Sequence, residues 1–375
     1  MRAVVQIADY AAPYGGNFIA ALTALAGPCR QHGLRLVLTF PCQSRERAWC
    51  ADLSAGGYAV RFLPAARSLL GQARAIRRIA RQENAALIHT HFTRFDLAAW
   101  LAARLPARGR RPQVIWHAHS ALHDPRTRLR RLKNLVKYRG LGRTARMIAV
   151  SEHVRRELLA VGFPSARIRT ILNGIDLQRA SRTVRSKEQV FSDLGIQPDQ
   201  RLLLMIGWDP IRKGVDLAGE AVGRLVEQGE RLVLVILGGE PLRRYLSERK
   251  PGGAPPWMRC IEPTEDMGSL YGAAAAFLSP SRSEGFTYAA CEAMAGGTPA
   301  VLADIPAVGW AQACPAAAFC APGDGHALCA AIRSVLSWSP VERQRRAAEG
   351  RQFVRRGFDV RRWAEQVVEF YHERQ

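Results

Sequence analysis

The stretch AFLSPSRSEGFTYAACEAMAGGTPAVLA, residues 276–303, contains two short apolar runs on either side of an alanine-rich segment. The runs Ala276–Ser279 and Ala300–Ala303 predict β-strands, and the segment between them predicts a helix that begins near Phe286 or Thr287. A strand, a helix and a second strand in this order are typical of parallel α/β packing. The stretch therefore predicts an α/β fold, with a turn between the first strand and the helix.

The same alternation of apolar runs and helical patterns extends along most of the chain. Further strand candidates in the first half are Val4–Ala8, Leu34–Phe40, Ala86–His89, Val114–Trp116 and Ala145–Val150, and those in the second half are Arg201–Ile206 and Arg231–Leu237. A polar segment, Gln178–Gln189, separates the two series, and no helix or strand is predicted for it. The pattern and the length of 375 residues predict two similar α/β domains joined near residues 175–185.

The net charge of +22 is concentrated in the first half of the chain. Residues 1–176 hold 29 of the 54 Lys and Arg but 9 of the 32 Asp and Glu, a net charge of +20. With 48% hydrophobic and 23% charged residues, the composition is that of a globular protein. Eight cysteines without a C-x-x-C pair predict a reduced, cytosolic protein. Because no signal-peptide pattern and no membrane-spanning apolar run is found, we expect any membrane contact to be peripheral.

The turn after Ser279 combines features that suit a phosphorylated sugar. A helix N-terminus presents unpaired N–H groups and partial positive charge, and Gly285 lets a ligand approach the backbone closely. Glu284 precedes that terminus, where it can accept hydrogen bonds from sugar hydroxyls, whereas Glu292 lies inside the helix, where it can bind a ribose diol. The alternative is a capping acid followed by an ordinary helical glutamate, and the isolated pair leaves both interpretations open.

A second turn, in MIGWDPIRKGVDLAGEAV at residues 205–222, carries two adjacent cations. The strand ends at Gly207 and a helix begins after Gly214, so Arg212 and Lys213 lie in the loop at the carboxyl end of the strand. Arg can hold a diphosphate by a forked contact and Lys as a point charge, although a solvated surface pair is the alternative. The chain has no D-x-D sequence, which would suggest a metal-bound diphosphate. Charge neutralisation is therefore expected from the two cations and the helix terminus, with no metal.

Glycine and histidine pairs mark three further strand ends. Gly15 and Gly16 follow the first strand and precede a helix, but they do not form the G-x-G-x-x-G pattern of a dinucleotide site. His117 and His119, in VIWHAHS, lie on one face by strand alternation, and IHTH at residues 88–91 repeats that arrangement. No acid or cysteine accompanies them at familiar ligand spacing. We therefore expect one histidine at a ligand cleft rather than a zinc site.

Taken together, these turns resemble glycosyltransferase family 4, a group of retaining enzymes with the GT-B fold that use sugar nucleotides. The main motifs are GWDPIRKGVDLA and SEGFTYAACEAMAGGTPAV, and in the second Glu284 and Glu292 have the family's Glu-x7-Glu spacing. Supporting segments, in the expected order across most of the chain, are YGGN, WHAHS, MIAVSEHVRREL, ILNGID and APGDGHALCAAI.

The resemblance implies a role for each turn. The implied catalytic residues are Glu284, Lys213, Arg212 and His119, the last of which we prefer to His117 and place at the end of its strand. The implied donor-binding residues are Gly15, Gly16, Gly207, Arg212, Lys213, Glu284, Gly285, Phe286, Thr287 and Glu292, with the cations on the diphosphate, Glu284 on the sugar and Glu292 on the ribose. Many family members carry Arg immediately after the glycine corresponding to Gly207, whereas this chain has Trp208. Arg212 is the candidate to take over the role of that arginine.

The resemblance also implies a GT-B fold, in which two Rossmann-like α/β domains face each other across a cleft. The expected domains are residues 1–176 on the acceptor side, residues 177–355 on the donor side, and a C-terminal helix in residues 356–375 that crosses back to the first domain. The implied reaction is retaining transfer of a hexosyl unit from a UDP- or GDP-sugar to a hydroxyl, without a cofactor. Because no second carboxylate is evident as a nucleophile, we expect a front-face reaction in which the leaving phosphate helps to deprotonate the acceptor.

The basic first half indicates a membrane-bound acceptor. Residues 126–146 contain nine Lys or Arg and no acid, and a helix over residues 66–83 carries a stripe of arginines. The apolar line through the first segment is Leu129, Leu132, Leu135 and Val136, and the arginine stripe is Arg74, Arg77, Arg78 and Arg81. Such stripes fit a helix on an anionic membrane surface. Together with the family resemblance, this charge pattern implies a lipid-linked acceptor for a cell-surface glycan, at the inner face of the cell membrane.

Three alternatives stay open at this point. The basic segments can form a solvated face whose apolar line lies in the core. A pI near 10.7 would also serve a nucleic-acid-binding protein, although the basic segments lack interleaved aromatic residues. A nucleotide-sugar epimerase of similar fold would turn over a donor without an acceptor.

Overall fold

The computed structural model describes residues 1–66, 68–105, 111–120, 122, 128–249 and 253–373. The chain divides into two compact units, unit 1 with residues Met1–Gly174 and Val360–Gln375, and unit 2 with residues Ile175–Asp359. From the sequence we predicted boundaries after residues 176 and 355. Residues 126 and 127 of the basic segment, and the side chains of 128–131, lie outside the described residues.

Unit 1 contains a seven-stranded sheet in the order β3-β2-β1-β4-β5-β6-β7, and its paired strands are parallel. The strands are β1 Arg2–Ala8, β2 Leu34–Pro41, β3 Ala59–Leu63, β4 Ala85–His91, β5 Gln113–Ala118, β6 Arg146–Ala149 and β7 Ile168–Thr170. The connecting helices are α1 Gly16–Ala24, α2 Ala26–Gln31, α3 Ala48–Ala55, α4 Leu69–Gln82, α5 Asp96–Arg104, α6 Arg128–Leu135 and α7 Glu152–Ala160. The central strand β1 is buried from Ala3 to Ala8 because helices cover both faces of a parallel sheet.

Unit 2 repeats this architecture with a six-stranded parallel sheet in the order β10-β9-β8-β11-β12-β13. The strands are β8 Arg201–Ile206, β9 Leu232–Leu237, β10 Met258–Ile261, β11 Ala276–Ser279, β12 Ala300–Ala303 and β13 Ala317–Cys320. The helices are α8 Leu177–Ser181, α9 Lys187–Leu194, α10 Pro210–Lys213, α11 Val215–Glu227, α12 Gly239–Arg249, α13 Met267–Ala273, α14 Tyr288–Gly296, α15 Gly325–Leu336 and α16 Pro340–Gly357. The order change between β8 and β11 places two strand-to-helix turns side by side at the carboxyl edge of the sheet.

The last helix, α17 Val360–His372, belongs to unit 1. Its buried face, which includes Trp363 and Tyr371, joins the same hydrophobic core as β1 and α1. Gly174 permits this packing, because a Cβ there would lie 2.6 Å from the Cα of Val360 and 2.7 Å from the Cβ of Trp363. Among the described residues, no helix is both long and apolar enough to cross a membrane.

Two helices occupy the segment for which we predicted no regular structure. Asp176 caps α8 by accepting hydrogen bonds from two backbone N–H groups, and Ser186 with Gln189 forms a capping box at the start of α9. The prediction was wrong because polar capping residues dominate this stretch and hide the short apolar faces. Helix α14 also begins at Tyr288, with Thr287 as its N-cap, slightly later than predicted.

Candidate active site

The turns after β8 and β11 in unit 2 are docked against each other. Gly214 has a φ of +73°, and a Cβ on it would lie 2.3 Å from the carbonyl oxygen of Pro280. The N–H of Arg282 donates to the carbonyl of Arg212 at 2.8 Å, and the Arg282 guanidinium pairs with Asp216 at 2.6 Å. The glycine thus allows the two turns to approach, and the Arg282 contacts hold them together.

This docking brings Glu284 onto both cations predicted from the sequence. The Lys213 Nζ lies 2.5 Å from Glu284 Oε1, and the Arg212 Nη1 lies 3.2 Å from Oε2. The hydroxyl of Ser281, which the sequence analysis did not single out, donates to Oε1 at 2.8 Å. The Glu284 side chain is 6% exposed and that of Lys213 is 14% exposed. Lys213 is therefore not part of a solvated surface pair. The N-cap of the helix that begins at Tyr288 is Thr287, so Glu284 is not the capping residue of that helix.

Arg212 is held from several sides. Its Nε donates to Asp209 Oδ2 at 2.9 Å, and its Nη1 donates to the carbonyl of Ser283 at 3.1 Å. The guanidinium carbon lies 4.7 Å from the centre of the Trp208 ring, which is half exposed. Trp208 therefore supports the arginine that we expect to act in place of the family's arginine.

The residues between Glu284 and α14 are buried. Phe286 packs its ring against Trp310 at 5.1 Å and Phe358 at 5.9 Å, which leaves its backbone as the part suited to a ligand. The N-cap residue Thr287 makes no side-chain capping bond, and its buried Oγ1 has no hydrogen-bond partner among the described residues. At the end of β8, a Cβ on Gly207 would lie 2.7 Å from Ile236 Cγ2, so this glycine is required by packing.

Glu292 has partners that the sequence analysis missed. Its Oε1 accepts from Arg179 Nη1 at 3.1 Å, and its Oε2 accepts from the Tyr271 hydroxyl at 2.7 Å. Burial, together with the Glu292 charge, raises the pKa of Tyr271 well above its ordinary value, so the tyrosine is a donor. Glu292 is therefore a buried, paired carboxylate, and a ribose would have to share it with Arg179. The capping signal at Asp176 could have identified the short helix that carries this arginine.

In unit 1, the loop before α1 is fixed by neighbouring side chains. The Tyr10 hydroxyl lies 2.8 Å from the carbonyl of Tyr14, and the Trp49 Nε1 donates to the carbonyl of Ala12 at 2.9 Å. Gly15 and Gly16 follow at the start of the helix, and Gly16 has a φ of +57°, a conformation that favours glycine. The loop is thus held in one conformation, and its role toward a diphosphate stays a prediction.

Four histidines cluster at the carboxyl ends of β4 and β5. Strand pairing aligns His91 with His117, and the nitrogen pairs His89 Nε2–His117 Nδ1 and His91 Nδ1–His119 Nε2 lie 3.2 and 3.0 Å apart. His119 lies one residue beyond β5, so our placement of it as the last strand residue was wrong. It is partly exposed, whereas the other three are buried, and its role as a ligand contact stays a prediction.

Gln6 and Tyr371 extend this cluster into one hydrogen-bonded network. The Gln6 Nε2 donates to the Tyr371 hydroxyl at 2.9 Å, so the Gln6 Oε1 is the atom that accepts from His91 Nε2 at 2.8 Å. His91 Nδ1 is then an acceptor, and His119 Nε2 must carry a proton to donate to it. On the other side, Tyr371 lies 2.8 Å from His89 Nδ1. The network therefore selects the His119 tautomer with a proton-free Nδ1.

Burial keeps these imidazoles neutral. Burial and the neighbouring histidines lower the pKa of His89, His91 and His117 well below the ordinary value, and burial lowers the pKa of His119 to about 3. Nitrogens of His89, His91 and His117 lie within 4.8 Å of one another, as in a metal site. However, the His89 and His117 rings are nearly parallel, at 7°, and His89 Nε2 lies within hydrogen-bond distance of His117 Nδ1. We interpret the cluster as a hydrogen-bonded chain, and metal independence stays a prediction.

The exposure of the basic segment in unit 1 tests the alternative that its apolar line lies in the core. Leu132, Leu135 and Val136 are 56%, 42% and 54% exposed, so these members of the apolar line are not in the core. Leu69 and Leu70, at the start of α4, are also exposed. On the same helix, Arg74, Arg78 and Arg81 are exposed, opposite buried Ala73, Ile76, Ile79 and Ala80. Unit 1 therefore presents leucines and arginines to solvent on α4.

Family models match both units. A model described as Glycosyltransferase Family 4 matches residues 23–179, and a model described as Glycosyl transferases group 1 matches residues 200–337. A crystal structure of Anabaena HepE in complex with UDP and glucose is 16% identical, with a TM-score of 0.82 over 98% of this chain and 99% of that chain. This structural likeness identifies the fold as GT-B. Residues 23–179 thus resemble the glycosyltransferases of family 4, and residues 200–337 resemble the group 1 glycosyl transferases.

The curated relatives are more similar in sequence over shorter segments. A D-inositol 3-phosphate glycosyltransferase 2 of Catenulispora acidiphila is 31% identical over 43% of this chain and 40% of its own length. A GDP-mannose-dependent alpha-(1-6)-phosphatidylinositol dimannoside mannosyltransferase of Mycobacterium tuberculosis is 34% identical over 41% of this chain and 40% of its own length. The matched segments thus span less than half of these relatives.

Proposed function

We propose that the protein is a retaining glycosyltransferase that moves a hexosyl unit from a nucleoside diphosphate sugar to a hydroxyl acceptor. The observation that carries the proposal is the buried carboxylate of Glu284, which holds Lys213 and Arg212 at the turns of two neighbouring parallel strands. The match of residues 23–179 to the Glycosyltransferase Family 4 model supports the same proposal.

The cations are suited to stabilise a leaving diphosphate. Without a ligand, Glu284 compensates their charge and keeps both side chains in position. A bound diphosphate would take over the contacts of Lys213 and Arg212, while Ser281 continues to donate to Glu284. The carboxylate could then accept hydrogen bonds from the sugar. Such preorganised charge stabilises the negative charge that develops as the glycosidic bond breaks.

The same arrangement favours a front-face reaction without a metal. As the anomeric bond breaks, its electron pair goes to the diphosphate oxygen, and that phosphate accepts the proton of the incoming hydroxyl. The new bond forms on the face from which the diphosphate leaves, so the anomeric configuration is retained. His119, with its proton-free Nδ1, is the candidate in unit 1 for accepting a hydrogen bond from the donor sugar.

A thermal-shift screen followed by turnover tests the donor site. UDP, GDP and ADP would each be added without metal to wild type, Lys213→Ala and Glu284→Gln. We expect UDP or GDP to raise the melting temperature of wild type by several degrees and to have a much smaller effect on Lys213→Ala. No shift with any nucleotide at millimolar concentration would contradict the donor site. Turnover of the sugar nucleotide with epimerisation, and without transfer, would favour the epimerase instead.

We propose further that the acceptor is a lipid-linked glycan of the cell surface, reached at the inner face of the cell membrane. The exposed arginines of α4 and the exposed leucines at its start support this assignment, because basic and apolar side chains together bind anionic membrane surfaces. The net charge of +20 in residues 1–176 would act in the same direction.

Vesicle binding tests this surface. Co-sedimentation with phosphatidylglycerol vesicles should weaken on the order of 100-fold when three α4 arginines become Gln, since each contributes about 1 kcal/mol near an anionic membrane. A matched triple variant of exposed arginines in unit 2 should retain binding. Equal loss in both variants would mean that net charge alone attracts the protein, and tighter binding to RNA than to vesicles would contradict the assignment. The test variant is Arg74→Gln, Arg78→Gln and Arg81→Gln, and the control is Arg244→Gln, Arg249→Gln and Arg355→Gln.

A further inference from the structure

A pocket of about 240 Å³ lies at the amino ends of β5 and β6 in unit 1. Its lining includes Gln113 and Arg146, the first residues of these strands, and also Arg104 and Arg111. The Gly15–Gly16 loop and His119 lie beyond the carboxyl ends of parallel strands, which is the opposite edge of the same sheet. The pocket is therefore separate from the candidate active site.

The lining of the pocket carries three guanidinium groups and no acid among the described residues. Burial and the charge of Arg111 lower the pKa of Arg104. Burial likewise lowers the pKa of Arg146; Glu373 opposes that shift, and the charges of Arg167 and Arg169 add to it. The charges of Arg104 and Arg111 in the lining thus repel each other, an arrangement that costs free energy until an anion binds.

Two of these arginines are fixed in position before any ligand binds. The Arg104 guanidinium stacks 4.2 Å above the Trp100 ring and donates to the carbonyls of Trp100 and Thr144 at 3.2 and 3.3 Å. The Arg146 guanidinium lies 3.7 Å from the centre of the Phe370 ring. Each guanidinium has five N–H donors, so these contacts leave donors for a ligand. Rigid placement also lowers the conformational entropy lost on binding.

Arg146 provides the most specific indication of a ligand. Its side chain is 6% exposed, and its Nη2 lies 3.1 Å from Glu373 Oε2. Its Nη1 is buried and has no hydrogen-bond partner among the described residues. A buried guanidinium N–H without a partner is costly, whereas a phosphate oxygen would satisfy it through a charge-assisted bond.

We propose that this pocket is a second anion site, which binds a phosphate-bearing ligand through Arg104, Arg111 and Arg146. The ligand class is a phosphate monoester, a diphosphate or the phosphate of a lipid headgroup, which share the same oxygen acceptors. The guanidinium groups match the forked geometry of phosphate oxygens.

Inorganic pyrophosphate is the probe, with calorimetry at low salt. Because the Lys213 site is also expected to bind pyrophosphate, wild type should show two sites and Lys213→Ala should retain one. In the Lys213→Ala background, Arg104→Gln and Arg111→Gln should each weaken the remaining site at least about tenfold. Arg30→Gln, an exposed arginine of α2, is the matched control and should leave it unchanged. Arg146 is not substituted, because its burial would confuse binding with folding.

The outcomes are distinct. Absence of the second site, or equal weakening by Arg30→Gln, would overturn the proposal. If wild type binds pyrophosphate in this pocket but shows no second site that depends on Lys213, the result counts against the donor site and not against this pocket. If Arg104→Gln also weakens binding to phosphatidic acid vesicles, the phosphate belongs to a lipid headgroup. If it weakens only pyrophosphate binding, the ligand is a soluble phosphate compound.

Discussion

The carboxyl edges of the two sheets hold their polar side chains in position by opposite chemistry. In unit 2 the edge holds a buried carboxylate against two cations, with Lys213 Nζ 2.5 Å from Glu284. In unit 1 the edge holds four neutral histidines that are ordered by hydrogen bonds to Gln6 and Tyr371. Both edges lie on parallel α/β sheets, so the architecture alone does not decide the chemistry.

The difference teaches how each edge keeps its side chains in position. The cations of unit 2 are positioned by an ion pair, which an anionic ligand can replace. The imidazoles of unit 1 are held by hydrogen bonds between neutral tautomers. These bonds need no charge, and they persist only while the histidines stay neutral. Substitutions that remove charge should therefore act most strongly on unit 2, and changes of pH should act most strongly on unit 1.

The largest effect is expected from Lys213→Ala. The substitution removes a cation from the proposed leaving-group site and leaves Glu284, which is 6% exposed, with Arg212 and Ser281 as its partners. We expect kcat/KM for sugar transfer to fall on the order of 100- to 1000-fold, as is usual when a preorganised electrostatic contact is lost. The measurement is the initial rate with the best donor found in the nucleotide screen.

Lys187→Ala is the matched control for that prediction. Lys187 is an exposed residue at the start of α9 in the same unit, and its loss should leave the rate nearly unchanged. If Lys213→Ala keeps more than a tenth of the wild-type rate, the ion pair is structural and the contrast between the two edges is lost.

Gly214→Ala tests whether the docked turns of unit 2 create its charged edge. The added Cβ would lie 2.3 Å from the Pro280 carbonyl oxygen, and the φ of +73° disfavours alanine. We expect a loss of about 2–3 kcal/mol in the free energy of unfolding, from backbone strain and steric overlap together. The measurement is denaturant titration of wild type, Gly214→Ala and the control variant Gly195→Ala.

Gly195→Ala separates the two contributions. Gly195 has a similar φ of +62°, but a Cβ there would meet no atom of the described residues within 4 Å. Gly195→Ala should therefore lower the free energy of unfolding by about 1 kcal/mol, from backbone strain alone. Equal losses for the two variants would mean that the turns do not need the close approach at Pro280.

Acid should weaken the neutral edge of unit 1. The pKa values of the buried histidines are lowered in the folded state, so unfolding takes up protons below the ordinary pKa near 6.5. The free energy of unfolding then falls as the pH falls below about 6.5, by up to ~1.4 kcal/mol per pH unit for each histidine. Denaturant titrations between pH 7 and 5.5, where most carboxyl groups stay ionised, measure the slope.

A single substitution can assign part of that slope. His117→Asn keeps an acceptor near the position of Nδ1 and removes one titrating group, so it should reduce the slope by about 1.4 kcal/mol per pH unit. Gln31→Asn, which changes an exposed residue of the same unit that does not titrate, should keep the full slope. A flat profile in wild type would show that the histidines are not held neutral.

The strands that sequence reasoning found and missed differ in their place in the sheet. Central strands such as β8, Arg201–Ile206, are continuous apolar runs and were predicted with their observed bounds. The four that were missed, β3, β7, β10 and β13, are the outermost strands of their sheets. Edge strands are short and half exposed, so their apolar pattern is weak.

The candidate site divides in a similar way. Motif spacing pointed to Arg212 and Lys213 in one turn and to Glu284 in another, because the family resemblance marks both turns. Arg179 and Tyr371 could not be found, because each acts on a residue more than 100 positions away and no local pattern records that contact. Long-range hydrogen bonds follow from packing, which a single sequence does not display.

The smallest effect is expected from Tyr371→Phe, which tests the hydrogen bonds that order the neutral edge. The hydroxyl accepts from Gln6 Nε2 at 2.9 Å and lies 2.8 Å from His89 Nδ1. Its removal leaves two buried polar groups without that partner, at a cost of about 1–2 kcal/mol in the free energy of unfolding. Tyr58→Phe, a half-buried tyrosine of the same unit, should cost much less. Equal losses would mean that the network adds nothing beyond ordinary packing, and the tautomer of His119 would then need another cause.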